Sequence, residues 1–314
     1  MVLGNTGTGK CTTVNCLVGC EMKLVKPGEL GLSGIKKVVV VDPESHVREI
    51  MPIGHGRRSH TFLPQIAPDP KHTHRAYCDC PGFSDTRGAE INIANAINIR
   101  KILQQATGVK AVFLTDYNGL LVDRGDSIRN VEAMCRKMFG GADNLRRYQH
   151  AVLLGITKAP LYEDDEPLTR DMVQSLLTQG NTPTAQILAS RSFLFDPLDR
   201  GRDNPDFWSR ERCRTEIAQL SSIPQREATT LFQTVLTDSD RTHLLNTIRQ
   251  LRPKIVNAIT QGDVTALGQP GNYFSAYKSL NILKWINLSR GEYCLPSTLP
   301  SYKGPMQSKV MLAY

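Results

Sequence analysis

The first two hundred residues predict an α/β fold, a doubly wound and mostly parallel sheet, and the remainder predicts an all-helical extension. Three observations carry this. Strand-forming runs alternate with amphipathic helical stretches up to about residue 200. Those runs, among them VKAVFLT at 109–115 and HAVLLGIT at 150–157, are apolar without alternation, as a sheet covered on both faces requires. Between the first strand and the first helix stands a glycine-rich loop, GNTGTGKCT at 4–12.

The elements follow in order. Only Met1, Val2 and Leu3 precede the loop, where a buried strand of about five or six residues is expected, so the chain reads as a fragment or as a late start. Residues 11–18 form the first helix, with Gly19 as its stop. KKVVVV at 36–41 is a β-branched run, hence a strand, and 75–80 is a strand leading into a second motif. Residues 90–106 place Ile91, Ala94, Ile97 and Ile102 near helical spacing, closed by Gly108. The strand at 109–115 precedes a helix at 127–139 that buries Ile128, Val131, Met134 and Met138. The strand at 150–157 precedes a helix at 168–178, and 192–195 is the last strand.

Beyond residue 200, Asn204-Pro205 sets a capping side chain before a proline and opens a helix that runs to about Ser221. A further helix covers 226–236. Residues 238–259 put Leu244, Leu245, Ile248, Leu251, Ile255 and Ile259 on one face, with a kink at Pro253. A last helix spans 272–288, and the tail beyond Gly291, rich in Pro, Ser and Tyr, reads as loose. The expected division is therefore a sheet domain at 1–200 and a helical extension at 201–314.

Composition narrows the function classes. A chain of 314 residues holds ample core material for one large or two ordinary domains. Its eight cysteines are scattered, with only Cys78 and Cys80 close together, which argues against a zinc site and for reduced thiols in a cytoplasmic setting. No apolar run is long enough to cross a bilayer, and no signal-peptide pattern is visible. The formal charge is +8, but both signs are interspersed, so a solvated basic surface is expected rather than a nucleic-acid footprint. The amphipathic faces of the extension read as its own core; a partner-binding or membrane-surface face is the minor alternative.

The loop carries the chemistry. Closely spaced glycines let successive backbone N–H groups turn inward and wrap an anion, which a Cβ would hinder. The helix that starts near Lys10 adds unpaired N–H groups and a positive dipole end. The stretch fits the phosphate-binding pattern G-x-x-x-x-G-K-[ST] at Gly4, Gly9 and Lys10, with Cys11 where Ser or Thr belongs. Asn5, Thr6, Gly7, Thr8, Gly9, Lys10, Cys11 and Thr12 are the expected phosphate contacts. Lys10 reaches the β- and γ-phosphates in this reading, and the Thr12 hydroxyl touches the α-phosphate. Cys11 stands where a hydroxyl normally ligates Mg²⁺, and a thiol is a poor ligand for a hard cation that prefers oxygen.

The second motif is YCDCPGFSDTRG at 77–88. Asp79, at the carboxyl end of a strand, would hold Mg²⁺ through water, and the Gly82 N–H would contact the γ-phosphate. Between the motifs lies GHGRRSHTFLPQI at 54–66, polar, basic and rich in glycine and histidine, as a mobile loop would be. Thr61 is the candidate for the threonine that closes on Mg²⁺ and the γ-phosphate, and Thr73 is the rival. The histidines at 55, 60, 72 and 74 read as surface-loop residues rather than a metal site.

GNTGTGK together with D-x-P-G-F-x-D-T-x-G resembles the GTPase domains of the septin and immunity-associated branch of the P-loop GTPases, with agreeing element order through about residue 200. The resemblance implies a G domain that binds GTP and GDP with Mg²⁺, two switch segments, and nucleotide-dependent pairing into a homodimer. It places the phosphates on residues 5–12, the metal on Cys11, Thr61 and Asp79, and the action on the γ-phosphate on Lys10, Thr61 and Gly82.

The departures from that branch matter as much. Guanine-specific members carry [NT]-K-x-D after the fifth strand, and here the stretch is Thr157-Lys158-Ala159-Pro160. Thr157 can brace the loop and the Lys158 stem can cover the base, but Pro160 offers no side-chain acceptor. Loss of such a paired bond weakens discrimination by about 2–4 kcal/mol. Asp196 or Asp199 in FDPLDR would substitute, or else they form a strand-terminating turn. Phe83 follows Gly82 where a glutamine often orients water, so hydrolysis is expected to be slow. Arg57 and Arg58 read as arginine fingers, in cis or across a dimer, or as solvated loop residues. Two functions remain: a slow GTP-hydrolysing switch acting on a protein effector, and a non-catalytic nucleotide-dependent interaction module. Relaxed base specificity that admits ATP is the subsidiary alternative.

Overall fold

The computed structural model describes residues 1–55, 64–81, 89–122, 126–201, 203–232, 241–250 and 253. Arg57, Arg58, Thr61, Gly82, Phe83 and the helix expected at 272–288 lie outside the described residues. The chain divides into two compact units, one of residues 1–86 with 99–235 and one of 87–98 with 236–314.

In chain order the strands and α-helices begin with β1 (Val2–Gly4), α1 (Lys10–Val18), β2 (Met22–Val25), β3 (Val38–Val41), β4 (Gln65–Asp69) and β5 (His72–Asp79). Next come α2 (Ala89–Gln105), β6 (Gly108–Val109), β7 (Ala111–Asp116), α3 (Tyr117–Val122), α4 (Asp126–Phe139) and α5 (Ala142–Arg147). They are followed by β8 (Val152–Thr157), β9 (Tyr162–Glu163), β10 (Glu166–Pro167), α6 (Arg170–Thr178), α7 (Pro183–Ser190) and β11 (Ser192–Phe195). The first unit closes with β12 (Phe207–Trp208), α8 (Arg210–Gln219), β13 (Ile223–Pro224) and α9 (Gln225–Leu231).

Seven strands form one sheet in the order β12-β11-β8-β7-β1-β5-β4. All neighbours are parallel except the β4–β5 hairpin at the edge. The absence of alternation in the apolar runs now has its physical reason. On one face Leu3, Ala111, Phe113, Leu154 and Leu194 pack with Met134 and Met138 of α4 and Leu188 of α7. On the other face their chain neighbours Val2, Val112, Leu114, Leu153 and Phe195 pack with Val14 and Leu17 of α1. Full burial of one such side chain stabilises the fold by about 1.5–3 kcal/mol, so both registers of each strand must be apolar.

Several elements differ from the sequence reading. The β-branched run at 36–41 does form a strand, but β3 pairs antiparallel with β2 in a separate two-stranded ribbon, and its valines are only half-buried. The segment read as loop up to residue 66 already enters β4 at Gln65. Residues 204–208 are not the first turns of a helix. Asn204 Oδ1 does accept the Asp206 amide at 3.0 Å, but its Nδ2 donates to the Leu168 carbonyl at 3.0 Å and no helix follows; Phe207 and Trp208 join the sheet beside Leu194 and Phe195. The helix starts at Arg210, where the Ser209 hydroxyl accepts the Arg212 amide at 3.2 Å. α8 packs on α1, with Arg214 Nε donating to the Leu17 carbonyl at 2.5 Å, so the sheet unit continues beyond residue 200. Of the second unit, the start of α2 and a helix across 241–250 are described. In the latter Leu244 is half-buried while Leu245 and Ile248 are exposed.

Candidate functional site

The strand order sets the position of the site. From β1 the chain winds outward through β4 and β5 on one side, then crosses to β7, β8, β11 and β12 on the other. In open α/β sheets a crevice forms at such a reversal, beyond the carboxyl ends of the strands. A cleft of about 830 Å³ lies there. Its wall is made by the segments that leave β1, β7, β8 and β11, joined by residues 24, 36–39 and 53–55.

The glycine-rich loop forms one end. Thr6, Gly7, Gly9, Lys10, Cys11 and Thr12 line it. Gly4, Gly7 and Gly9 all have positive φ, at 151°, 86° and 84°. A Cβ on Gly4 would stand 2.5 Å from the Leu114 carbonyl oxygen and 2.7 Å from Thr8 Oγ1, so the loop can leave β1 only as glycine. The loop folds on its own carbonyls. Asn5 O accepts from Thr8 Oγ1 and from Lys10 Nζ, each at 2.9 Å. Thr8 O in turn accepts from Thr157 Oγ1 at 2.9 Å, and the same hydroxyl lies 3.1 Å from Thr115 O. Thr157, at the end of β8, thus ties the loop to the sheet as the sequence reading expects of a bracing residue. α1 begins at Lys10 with no acidic residue in its first turn, so nothing there competes with an anion for the helix dipole. Thr6 Oγ1 is buried and finds no hydrogen-bond partner among the described residues.

The other end is more apolar, walled by Tyr117, Leu121, Ala159, Pro160 and Leu198. Lys158 takes the left-handed conformation, φ 56°, which a non-glycine residue adopts only when its surroundings hold it there. Its ammonium meets Asp116 Oδ2 at 2.6 Å, and Asp116 Oδ1 accepts the Asn118 amide at 2.9 Å. Lys10, Lys36, Lys37, Lys158 and Arg200 line the cleft against Glu163 and Asp196, an excess of positive charge that suits an anionic ligand.

The sequence-derived residues fare differently from one another. Those of residues 6–12 other than Thr8, together with Thr157 and Lys158, come together on the cleft wall, while Asn5 and Thr8 shape the loop from behind. Asp79 is fully buried at the carboxyl end of β5, level with Val2 and Gln65, and is not part of the wall among the described residues. Cys11 is on the wall, but offers sulfur where a hard cation takes oxygen. Among the described residues no group of three or more His, Cys, Asp or Glu could hold a metal ion. Thr73 sits six residues before Asp79 on β5, roughly 20 Å along the strand at ~3.3 Å per residue, so the two cannot meet at one ion. His72 and His74 lie on β5 rather than in the loop, and His72 Nδ1 is 3.3 Å from Asp69 Oδ2. Asp196 borders the cleft but is saturated: it accepts from Leu198 N, Arg200 N, Arg200 Nε and Arg200 Nη2 at 2.9–3.2 Å. Asp199 is not on the wall and turns the chain at φ 51°.

Lys36, Lys37, His55, Tyr117, Asn118, Glu163 and Arg200 line the cleft without having been singled out as ligand contacts from the sequence. For Tyr117 and Asn118 a signal existed, since they follow directly on the apolar run that becomes β7. Among the described residues no helix is long and apolar enough to cross a membrane. The chain matches no protein-family model, and no curated protein matches it significantly.

Proposed function

We propose that this chain binds a purine nucleoside triphosphate, GTP in the first instance, and hydrolyses it slowly as a molecular switch. The carrying observation is the loop at the reversal point of the sheet: three positive-φ glycines, a buried Lys10 and a helix N-terminus on one wall of an 830 Å³ cleft. That arrangement is suited to a polyphosphate, and the apolar end is suited to a base. The resemblance of the two motifs to the septin-like and immunity-associated GTPases favours guanine. Mg²⁺ would enter with the nucleotide, held mainly by phosphate oxygens and water. Asp79 and Thr61 remain its proposed oxygen donors from the protein, with Cys11 a weak neighbour. Pairing with a second copy through the G domain is the proposed source of any missing catalytic group, with Arg57 and Arg58 as candidates. The non-catalytic module is the second reading, favoured by the thiol at position 11.

Titration calorimetry of the full chain with GTP, beside Lys10→Ala, tests binding. We expect the variant to bind at least about 10-fold more weakly, the order of a lost charge-assisted bond. Equal affinity would remove the phosphate-loop assignment. Phosphate release across a protein concentration series then separates the two readings. Specific activity that climbs with concentration supports the assisted hydrolase; binding without turnover at any concentration supports the module.

A further inference from the structure

Pro160 leaves the expected base-reading position without an acceptor, and the cleft shows what stands near it. Of the described residues on the wall, two carry carboxylates, Glu163 and Asp196. Asp196 already accepts four hydrogen bonds, and a carboxylate offers about four lone-pair sites, so it has no capacity left.

Glu163 is differently placed. Three residues after Pro160 the chain makes a hairpin of its own, β9 against β10, with Glu163 opposite Glu166 and Tyr162 opposite Pro167. The two residues between the strands, Asp164 and Asp165, have φ of 48° and 66°, the positive pair that a type I′ turn requires. This turn fixes the direction of the strand and so the position of Glu163 on the cleft wall. The Tyr117 side chain, 2% exposed, stands close enough to the Glu163 carboxylate to feel its charge. Burial, and then this carboxylate, push the Tyr117 phenol upward, so it stays a donor at neutral pH.

We propose that Glu163 reads the base, accepting hydrogen bonds from the N1–H and 2-amino groups of guanine in the cleft. The proposal rests on the guanosine-triphosphate reading of the same cleft and supplies the acceptor that Pro160 lacks. Guanine presents two adjacent donors on this edge, which a carboxylate can accept together. Adenine presents a bare ring nitrogen there, whose lone pair faces the carboxylate charge. The apolar wall of Leu121, Ala159 and Pro160 strengthens the distinction, because a polar mismatch sheltered from water goes uncompensated.

Competition binding of GTP, ATP and XTP to the full chain, to Glu163→Gln and to Glu163→Asp tests the assignment. Xanthine carries a carbonyl in place of the 2-amino group, so an amide at position 163 can donate to it while still accepting from N1–H. The wild-type chain is expected to prefer GTP over both others. Glu163→Gln is expected to weaken GTP by about 10–100-fold, the worth of a bond to a charged group, and to bind XTP more tightly than the wild type does. Glu163→Asp is expected to keep GTP ahead of XTP. A Gln variant that retains the wild-type order of GTP and XTP overturns the assignment and leaves the cleft reading standing. Equal binding of GTP and ATP by the wild type does the same. Loss of all three nucleotides in both variants makes Glu163 structural and overturns it too. A wild-type chain that binds no triphosphate overturns the cleft reading itself.

Discussion

At Cys11 a thiol occupies the first turn of α1, beside a buried lysine and on the wall of the cleft. Everything around it matches the phosphate-loop pattern in sequence, with only the hard-ion donor exchanged. Cys11→Ser should therefore strengthen triphosphate binding in the presence of Mg²⁺ and leave binding in EDTA little changed. Calorimetry with and without the ion reads this directly, and a variant indifferent to Mg²⁺ would count against placing the metal at this turn. The residues of the loop were legible because backbone chemistry is written locally: glycine spacing, then lysine, then a helix. Asp196 was not legible as a spent acceptor, since its partner is the Arg200 fork four residues on, and only the folded turn shows that both carboxylate oxygens are committed.

The β4–β5 hairpin carries its own buried charge. Asp69 is 5% exposed and accepts from the Lys71 amide at 2.9 Å, the Tyr77 hydroxyl at 3.1 Å and His72 Nδ1 at 3.3 Å. Burial alone would raise its carboxyl; the three partners outweigh burial and hold it below the ordinary value of 3.8. A depressed folded-state pKa contributes stability that is complete above the unfolded value and is lost as pH falls through the folded one. Asp69→Asn should thus cost about 1–3 kcal/mol at pH 7, and the gap to the wild type should close as pH falls below about 4. Urea unfolding at pH 7 and pH 3 measures both; a gap of constant size would mean that the charge is not what stabilises the hairpin. Element by element, the central strands were readable from their unbroken apolar runs. β4 was not, because QIAPD is an edge strand with a proline and only alternate residues buried. The β9–β10 hairpin was missed because its turn is Asp-Asp, without the glycine that usually announces positive φ. Asn204-Pro205 misled for the opposite reason: its local turn bond to the Asp206 amide forms, but the chain beyond it is drawn into the sheet at Phe207 and Trp208.

For the molecule as a whole, the alternation of strands and helices implied a doubly wound sheet, and the seven-stranded order puts the reversal at β1, where the glycine-rich loop emerges. Strand order is not written in local propensity; it follows from which apolar faces find each other, Leu3 against Phe113 on one side and Val2 against Val112 on the other. The cleft is a product of that order, which is why residues from segments distant in sequence meet there. The apolar end stayed hidden for the same reason, since Tyr117, Pro160 and Leu198 become neighbours only when β7, β8 and β11 align. The central claim is that this composite cleft holds a guanine nucleotide. It is tested most directly by purifying the full chain under native conditions, releasing its bound small molecules, and identifying them by chromatography and mass spectrometry beside Lys10→Ala. GDP or GTP near one per chain, absent from the variant, is the predicted result. A chain that carries no nucleotide, and whose melting temperature does not move in millimolar GTP, would contradict it.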